Sequence, residues 1–461
     1  MSRTPVTAEE ITDRINAHDP TLWPRTTARA GRFDFLDAPR LLDREGRALE
    51  RWAATIDESR VVVLGMGPAA GGAGLIGAMR AAFDKPDGRE IFLCDTTDPA
   101  TIAAAPLEDA CVVVASSSGS TIETEALFLH ALGRVRTNRR IVVIAPGASP
   151  LVSRAEELAV GRIFPIEPSI PGAFGLLSLL GGVPAALAGY DLSELIGRGM
   201  EIDRREAIGL GIELGTDALD GDRTVSIVTA PEHAPFAHSV AQLFALATGK
   251  AGTGLIAVPT AAGEARAKGR AITVEFGSAH EVAAAYFRFE LAALAAAHVL
   301  DVDPFVAPEI EASRAVMTQI LRSDEIERPP LVEADEIPSR LDESIPEGGY
   351  VAIDAYLPRE HETATGRLAG RLRAEAGGAA VTADEGARVL HGTGQLHKDG
   401  PDGVLVLQLV TRTAAKPVPV PGAPYDFTAL CAAQSDADHA RLVARHKRVL
   451  RVAVDDPAEL F

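Results

Sequence analysis

Short runs of apolar, mostly β-branched residues alternate with longer helical patterns along most of this chain. In the first half of the chain these runs lie at residues 60–64, 91–94, 111–115, 141–145 and 162–164. A glycine-rich turn at 65–74 follows the first run, and a helix is predicted to continue from it to residue 82. Strands that alternate with helices are typical of βαβ units, so the pattern predicts a parallel sheet with helices on both faces.

A second series of the same kind follows a helical stretch at about 174–219, with apolar runs at 223–229, 255–258 and 271–276. An alanine-rich helix is predicted over 280–299. A third and smaller series has a helix at 363–376 and strands at 350–356, 404–410 and 448–454. We therefore predict an α/β fold with two doubly wound, flavodoxin-like parallel-sheet domains and a smaller C-terminal α/β unit.

The length of 461 residues exceeds what one core usually supports, so several domains are expected. The stretch 323–348 is acidic and contains prolines, which favours a linker. The predicted division is an N-terminal helical segment at 1–57, a first domain at 58–200, a second domain at 201–322, the linker at 323–348 and the C-terminal unit at 349–461.

The net charge and the cysteine content argue against several classes of function. A formal net charge of −19 argues against nucleic acids and anionic membrane surfaces as partners. The three cysteines are far apart in sequence, and no Cys/His cluster has the spacing of a metal site. No apolar run is expected to reach membrane-spanning length. These features indicate a cytoplasmic protein with reduced cysteines and no metal.

The most informative motif is a serine-rich loop that directly follows the apolar run at 111–115. A helical pattern begins at residue 122, so the loop is expected at a helix N-terminus, where free backbone N–H groups favour an anion. The loop holds no basic residue, and the expected guest is a phosphate bound by hydroxyls and amides; the alternative is a helix cap without a ligand. The candidate binding residues in this loop and in the first glycine-rich turn are Gly65, Gly67, Ser116, Ser117, Ser118, Gly119, Ser120 and Thr121.

The first turn also fits a loose dinucleotide fingerprint, Gly65-x-Gly67-x-x-Ala70, with Asp95 at a suitable distance for a ribose contact. One such match has low specificity. A dinucleotide-binding oxidoreductase is therefore a remote alternative, and we expect no cofactor.

Motifs in order along nearly the whole chain resemble the glucose-6-phosphate isomerase family. The loop at 116–121 resembles that family's Ser-Lys-Ser-Gly-Thr-Thr sugar-phosphate loop, with Ser117 at the lysine position. The run at 249–256 resembles Thr-Gly-Lys-x-Gly-x-Gly-Leu-Ile, and the run at 303–313 resembles Asn-Pro-Phe-Asp-Gln-Pro-x-Val-Glu-Ala-Ser. The segments 356–359, 390–401 and 420–425 resemble the isomerase half of bifunctional transaldolase/glucose-6-phosphate isomerases.

This resemblance implies sugar-isomerase domains, a sugar-phosphate ligand, a role in glycolysis or gluconeogenesis and a homodimer. Enzymes of the pentose-phosphate pathway are further candidate partners.

Several positions that carry the family's chemistry are substituted. The glutamate of the family's Glu-Ser-Thr-Gly-Lys run matches Leu246, and the arginine of its Gly-Gly-Arg-Tyr-Ser run matches Ala173. The glutamine of the Asp-Gln-Pro run matches Ala307, and the lysine that ends Val-Glu-Ala-Ser-Lys matches Arg314. Pro-Ala-Ala at 68–70 replaces the usual Gly-Ser-Ser and removes two hydroxyls.

Conversion of an aldose phosphate to a ketose phosphate needs a base that moves a proton between C1 and C2, and a cation that stabilises the enediolate. Leucine and alanine supply neither, so weak or absent isomerisation is expected. The remaining catalytic candidates are Glu123, expected to face the sugar, together with His397, Lys398 and Arg314. The alternative function is a non-catalytic sugar-phosphate-binding or regulatory protein.

Overall fold

The computed structural model describes residues 7–23, 33–83, 88–323, 328–344, 349–376, 378–413 and 415–460. Its strands form three sheets, and every strand pair in them is parallel. Two helices, α1 (Ala8–Asn16) and α2 (Ala38–Ala53), precede the first sheet. The α/β class and the parallel sheets predicted from the sequence are confirmed.

The first sheet has five strands in the order β2-β1-β3-β4-β5, which is the flavodoxin-like order. The strands are β1 (Arg60–Leu64), β2 (Glu90–Cys94), β3 (Ala110–Ala115), β4 (Ile141–Pro146) and β5 (Arg162–Ile166). The helices between them are α3 (Pro68–Phe83), α4 (Pro99–Ala104), α5 (Ile122–Leu132) and α6 (Pro150–Glu157). The glycine-rich turn predicted at 65–74 is shorter than expected, because α3 begins at Pro68 and proline is well suited to the first helical position.

The second sheet has only three strands, in the order β7-β6-β8. Three helices precede it: α7 (Leu179–Leu187), α8 (Leu192–Met200) and α9 (Arg204–Leu219). The remaining elements of this unit are β6 (Thr224–Thr229), α10 (Ala234–Thr248), β7 (Ile256–Ala261), β8 (Arg270–Thr273), α11 (Ala279–Val299) and α12 (Pro308–Leu321). Strand β8 ends before the predicted residue 276.

The C-terminal sheet has four strands in the order β10-β9-β11-β12. Its elements are α13 (Ile337–Ser344), β9 (Tyr350–Tyr356), α14 (Glu362–Glu375), β10 (Ala380–Glu385), α15 (Gly386–Arg388), a π-helical turn (Val389–Thr393), α16 (Gly394–Asp399), β11 (Val404–Thr411), α17 (Phe427–Ala444) and β12 (Arg448–Val454). Strand β10 was not predicted. The stretch 323–348, predicted as a linker, contains α13, which buries Ile337 and Leu341 in the core of this unit.

Shared cores join the three sheets. One face of the first sheet, with Val61 and Val63, lies in a core that also contains Val225 of β6 and residues of α7 to α11. The opposite face packs against Phe427 and Leu430 of α17. The C-terminal unit therefore covers the first sheet, and its residues lie close to the ends of the first strands.

Helix α11 differs from the expectation that no apolar run would reach membrane-spanning length. Among the described helices it is the one long and apolar enough to qualify, but its qualifying window is 72% buried inside the fold. Its apolar surface is explained by its position in the largest core, where Leu291 and Leu294 are fully buried.

Candidate functional site

The candidate site lies where the order of the first sheet changes direction, between β1 and β3. In doubly wound sheets this switch point leaves a crevice at the carboxyl ends of the strands. Here the crevice is a cavity of about 320 Å³. Met66 follows β1 and Ser116 follows β3, and both line the cavity.

Two glycines permit close backbone approaches at this switch point. A Cβ on Gly65 would lie 2.4 Å from the carbonyl oxygen of Ala115, which ends β3. Gly67 has φ of +57°, and a Cβ there would lie 2.6 Å from the Cβ of His391. The first turn is therefore shaped for contact with β3 on one side and with the C-terminal unit on the other. Neither glycine itself lines the cavity.

The serine loop forms one wall of the cavity. Four of its predicted binding residues line it, and these are Ser116, Ser117, Ser118 and Thr121. Gly119, which has φ of +62°, shapes the loop and donates its N–H to the Ser116 hydroxyl at 2.9 Å. Ser120 is exposed and lies outside the lining.

The hydroxyls of this wall are only partly used within the loop. The Ser118 and Thr121 hydroxyls lie 3.2 Å apart, and Thr121 precedes α5 without capping it through its side chain. The N–H groups in the first turn of α5 therefore receive no hydrogen bond acceptor from the Thr121 side chain. They lie close to the hydroxyls of Ser118 and Thr121. This arrangement suits a phosphate group.

The substituted family positions line another part of the same cavity, which we call the apolar wall. Ala173 lies in a short 3₁₀ turn, Leu246 on α10, and Ala307 immediately before α12. Phe174 and Phe305 also line this wall, and their ring centroids are 5.5 Å apart. This wall is therefore apolar at the positions that carry the base and the cation in the family that the sequence resembles.

Two side chains of α12 bring charge to the edge of this wall. Glu311 and Arg314 both line the cavity, and Glu311 is exposed. None of the ion pairs found among the described residues involves Arg314. Its guanidinium therefore gives the cavity a cation that no carboxylate of the described residues contacts directly.

His391 is the functional candidate that sequence reasoning missed. It lies in the π-helical turn after α15, lines the cavity, and places its Nε2 2.8 Å from Oε1 of Glu123. Glu123 is fully buried and also accepts a hydrogen bond of 3.0 Å from the Gln434 amide. An imidazole held by a buried carboxylate is the usual arrangement of a proton-transferring histidine.

The charge state of this pair follows from its surroundings. Burial alone would raise the pKa of Glu123, but the charge of His391 and the hydrogen bond between them outweigh burial and lower that pKa to about 2. Glu123 is therefore ionised at neutral pH. Glu123 was expected to face the sugar, but it does not line the switch-point cavity, because α5 turns its side chain towards Gln434 of α17. Its carboxylate contacts His391, which does line the cavity.

His397 and Lys398 lie away from the cavity. Nδ1 of His397 is 3.2 Å from a carboxylate oxygen of Asp354, and the ammonium of Lys398 pairs with Asp438. All four side chains are at least 97% buried. The structure thus brings Arg314 to the cavity and places His397 and Lys398 in an internal ionic cluster.

The ribose contact expected of Asp95 in the dinucleotide alternative is not supported. Asp95 is buried, accepts a hydrogen bond of 3.0 Å from Arg388, and also pairs with Arg359. Burial would raise its pKa, but the two guanidinium groups lower it well below the usual range. Its carboxylate therefore links the first sheet to the C-terminal unit through these two arginines.

No protein-family model matches the chain. Among curated proteins, it is 29% identical over 265 residues to the "Probable glucose-6-phosphate isomerase" of Natronomonas pharaonis, covering 53% of this chain and 60% of that protein. It is 32% identical over 158 residues to the protein of the same name from Haloarcula marismortui, covering 32% of this chain and 35% of that protein. The matches thus span less than two thirds of these relatives.

Among solved structures, a glucose-6-phosphate isomerase from Chlamydia trachomatis superposes with a TM-score of 0.53 at 16% identity, over 65% of this chain and 77% of that chain. At this identity the likeness concerns the fold. The sequence matches and this likeness of fold agree that the chain is similar to glucose-6-phosphate isomerases.

Proposed function

We propose that the protein binds a phosphorylated sugar in the switch-point cavity, and that it derives from glucose-6-phosphate isomerases but has weak or no isomerase activity. The observation that carries this proposal is the convergence of the serine loop, His391 and four substituted positions on one cavity. Those four positions are Ala173, Leu246, Ala307 and Arg314.

The polar wall supports the binding half of the proposal. The phosphate would accept hydrogen bonds from the hydroxyls of Ser116, Ser118 and Thr121 and from backbone N–H groups at the start of α5. Arg314, which also lines the cavity, would add electrostatic attraction. Because Ser117 replaces the family's lysine, we expect weaker binding than in an ordinary isomerase.

The pair formed by His391 and Glu123 supports a remaining acid–base function. A cyclic sugar opens when a proton is removed from one oxygen and delivered to another, and an imidazole oriented by a carboxylate can do both. His391 lines the cavity and is within hydrogen-bond distance of the ionised Glu123. We therefore expect the protein to retain ring opening as the part of the reaction that needs only this pair.

The apolar wall accounts for the proposed loss of isomerisation. Leu246 cannot take the proton that moves between C1 and C2, and Ala173 cannot stabilise the enediolate. General base catalysis is worth about 10²–10⁴-fold and an oxyanion donor about 10²–10³-fold. Because the general base and the oxyanion donor are both absent from these positions, a sugar-phosphate-binding or regulatory function is the better proposal.

A working isomerase with a relocated base is the second candidate, and one observation favours it. Glu311 is a carboxylate that lines the cavity and belongs to the same helix as Arg314. If turnover is measured, Glu311 is the residue to substitute with glutamine. Glu123 is the less suitable base because it is buried behind His391.

Binding and turnover can be tested separately on one preparation. The melting temperature is followed during titration with glucose 6-phosphate and with fructose 6-phosphate, beside glucose and inorganic phosphate. We expect stabilisation by the sugar phosphates that exceeds the effect of either part alone. Isomerisation is followed with fructose 6-phosphate in an assay coupled to glucose-6-phosphate oxidation, and negligible turnover is expected.

The serine loop supplies a matched control. The double variant Ser118→Ala/Thr121→Ala should lose most of the ligand-induced shift, whereas Ser120→Ala, in the same loop but outside the cavity lining, should keep it. Absence of any shift in the wild type would remove the binding proposal. Turnover comparable to that of a typical enzyme, with kcat of about 10 s⁻¹ or more, would contradict the proposed loss of isomerase activity.

The resemblance to glucose-6-phosphate isomerases also motivates proposals about assembly and location. We infer that the chain forms a homodimer in the cytoplasm, where its cysteines stay reduced, beside enzymes of sugar-phosphate metabolism. Light scattering at micromolar concentration tests the assembly. A mass equal to one chain of 48.4 kDa would exclude the dimer.

A further inference from the structure

The C-terminal sheet has a switch point of its own, and a second cavity lies at it. The order β10-β9-β11-β12 changes direction between β9 and β11. A cavity of about 430 Å³ is lined by Tyr356 at the end of β9, by Val410 and Thr411 at the end of β11, and by Ala453 near the end of β12. Tyr356 and Val410 are register partners on adjacent strands, so the cavity lies where ligands bind in doubly wound sheets.

One face of α17 covers this cavity. Thr428, Cys431, Ala432 and Ser435 line it at the spacing of successive helical turns. Apolar residues from other segments complete the wall, and these include Pro99, Pro329 and Leu331. The volume and the mainly apolar wall suit a small organic molecule.

Three buried polar atoms of the lining residues have no hydrogen-bond partner within the described protein. They are Oη of Tyr356, Oγ1 of Thr428 and Nε of Arg451. Tyr356 is 5% exposed and Arg451 is 6% exposed. Buried donors are usually paired in folded proteins, so unpaired ones that line a cavity are available to a ligand.

The unpaired groups at this cavity are mostly donors. Burial raises the pKa of Tyr356 well above its usual value, so its hydroxyl keeps its proton at neutral pH. Arg328 also lines the cavity, is half exposed, and uses Nη1 to pair with Asp436. Asp98 is an acidic residue of the lining, and its carboxylate is already hydrogen-bonded within the protein. It accepts hydrogen bonds of 2.7 Å from both N and Oγ1 of Thr101.

The thiol of Cys431 does not suggest covalent chemistry. Burial raises its pKa to about 12, so the nucleophilic thiolate is scarce at neutral pH. The cavity is therefore suited to reversible binding.

We propose that this cavity, defined by Tyr356, Val410, Ala432 and Arg451, is a second ligand site that binds a small organic anion with a flat apolar body. The anionic group would accept hydrogen bonds from Tyr356, Arg451 and Arg328. The apolar body would pack against Val410 and the α17 face. This site is separate from the sugar cavity and does not depend on what that cavity binds.

The test uses phenyl phosphate as a probe, with inorganic phosphate and phenol as its two halves. Binding to the full-length protein is measured by ligand-observed NMR. We expect phenyl phosphate to bind about tenfold more tightly than either half, because the site offers both donors and an apolar wall. Ala432→Phe should abolish this binding by filling the cavity, whereas Ala440→Phe, an exposed position on the same helix, should preserve it.

Two further variants separate the possible outcomes. Tyr356→Phe keeps the ring and removes only the hydroxyl, and it should weaken phenyl phosphate about threefold to tenfold while leaving phenol unaffected. Ser118→Ala/Thr121→Ala should not change phenyl phosphate binding. The proposal is overturned if the wild type does not bind the probe, if Ala432→Phe remains folded and binds it equally well, or if the serine-loop variant loses it. The last result would assign the probe to the sugar cavity.

Discussion

The two walls of the switch-point cavity differ in their chemistry. The wall formed by the serine loop and His391 keeps hydroxyls, backbone donors and a histidine paired with Glu123. The apolar wall presents Ala173, Leu246 and Phe305. A cavity with one polar and one apolar wall can bind a ligand that it does not convert. Variants that remove or restore the chemical difference between the two walls test this comparison.

The largest expected effect is a gain of isomerase activity when the apolar wall receives a base and a cation. Leu246→Glu combined with Ala173→Arg should raise kcat/KM for fructose 6-phosphate by about 10³-fold, within the usual range for general base catalysis. The coupled isomerase assay measures the gain. Leu246→Gln with Ala173→Arg is the matched control, since glutamine has the size of glutamate but cannot accept the proton. Equal activity of the two double variants would show that the wall lacks more than these groups.

The next effect concerns the buried carboxylate behind the polar wall. Glu123→Gln should lower the free energy of unfolding by about 3 kcal/mol, because it removes the fully buried carboxylate that pairs with His391. Denaturant unfolding at neutral pH measures this change. Glu125→Gln on the same helix is exposed and should change stability by less than about 0.5 kcal/mol. A loss no larger than that of the control would contradict the role assigned to the pair.

The same variant predicts a pH dependence with a defined sign. The folded-state pKa of Glu123 is about 2, below its ordinary value of 4.5. Its contribution to stability is therefore present above pH 4.5 and is lost as the pH falls from 4.5 towards 2. The stability difference between wild type and Glu123→Gln should be constant from pH 7 to pH 5 and then shrink. A difference that grows on acidification would have the wrong sign for this assignment.

A smaller effect is expected from the hydroxyls of the serine loop. Ser118→Ala/Thr121→Ala removes two neutral hydrogen-bond donors, each worth about 0.5–1.5 kcal/mol. The Kd for glucose 6-phosphate should rise about tenfold, as measured by calorimetry or by the melting-temperature titration. Ser120→Ala should leave the Kd unchanged. An equal rise in the Kd of both variants would indicate that the substitutions change the loop conformation, and would not support the loss of a specific contact.

The smallest effect is the gain from restoring the family's lysine. Ser117→Lys places a cation on the polar wall and should tighten glucose 6-phosphate binding several-fold at low salt, with a smaller gain at high salt. Ser117→Gln is the control, because it lengthens the side chain without adding charge. A gain of equal size with glutamine would show that length matters more than charge.

The sequence predicts the fold well where short-range patterns are decisive. β1, β9 and β12 occupy the predicted residues because β-branched and apolar runs end at clear turn residues. β10 was missed because its sequence, Ala380-Val-Thr-Ala-Asp-Glu385, is half polar, and Asp384 is nevertheless buried. Burial raises the pKa of Asp384 to about 8, so the carboxyl is largely protonated at neutral pH and tolerates its place at the end of a strand. That information is tertiary, and no local pattern contains it.

The site was predictable only in part for the same reason. The serine loop is one continuous segment, so its position at the end of a strand follows from the local pattern. The pairing of Glu123 with His391 joins residues 268 positions apart and depends on how α17 and the π-helical turn pack on the first sheet. His391 and His397 are equally plausible from sequence, but six residues along a helical segment place them on different sides, and only His391 reaches the cavity.

The contact of Gly67 with His391 has a consequence for the order in which the protein matures. The first turn is synthesised early, whereas His391, which lines the cavity, and Gln434, which donates a hydrogen bond to Glu123, are synthesised late. The lining of the cavity is therefore incomplete until the π-helical turn packs against the first turn. Contacts of such long sequence separation form slowly, since loop closure must precede them. Any ligand that binds this cavity would therefore stabilise the molecule in which the C-terminal unit has packed on the first sheet.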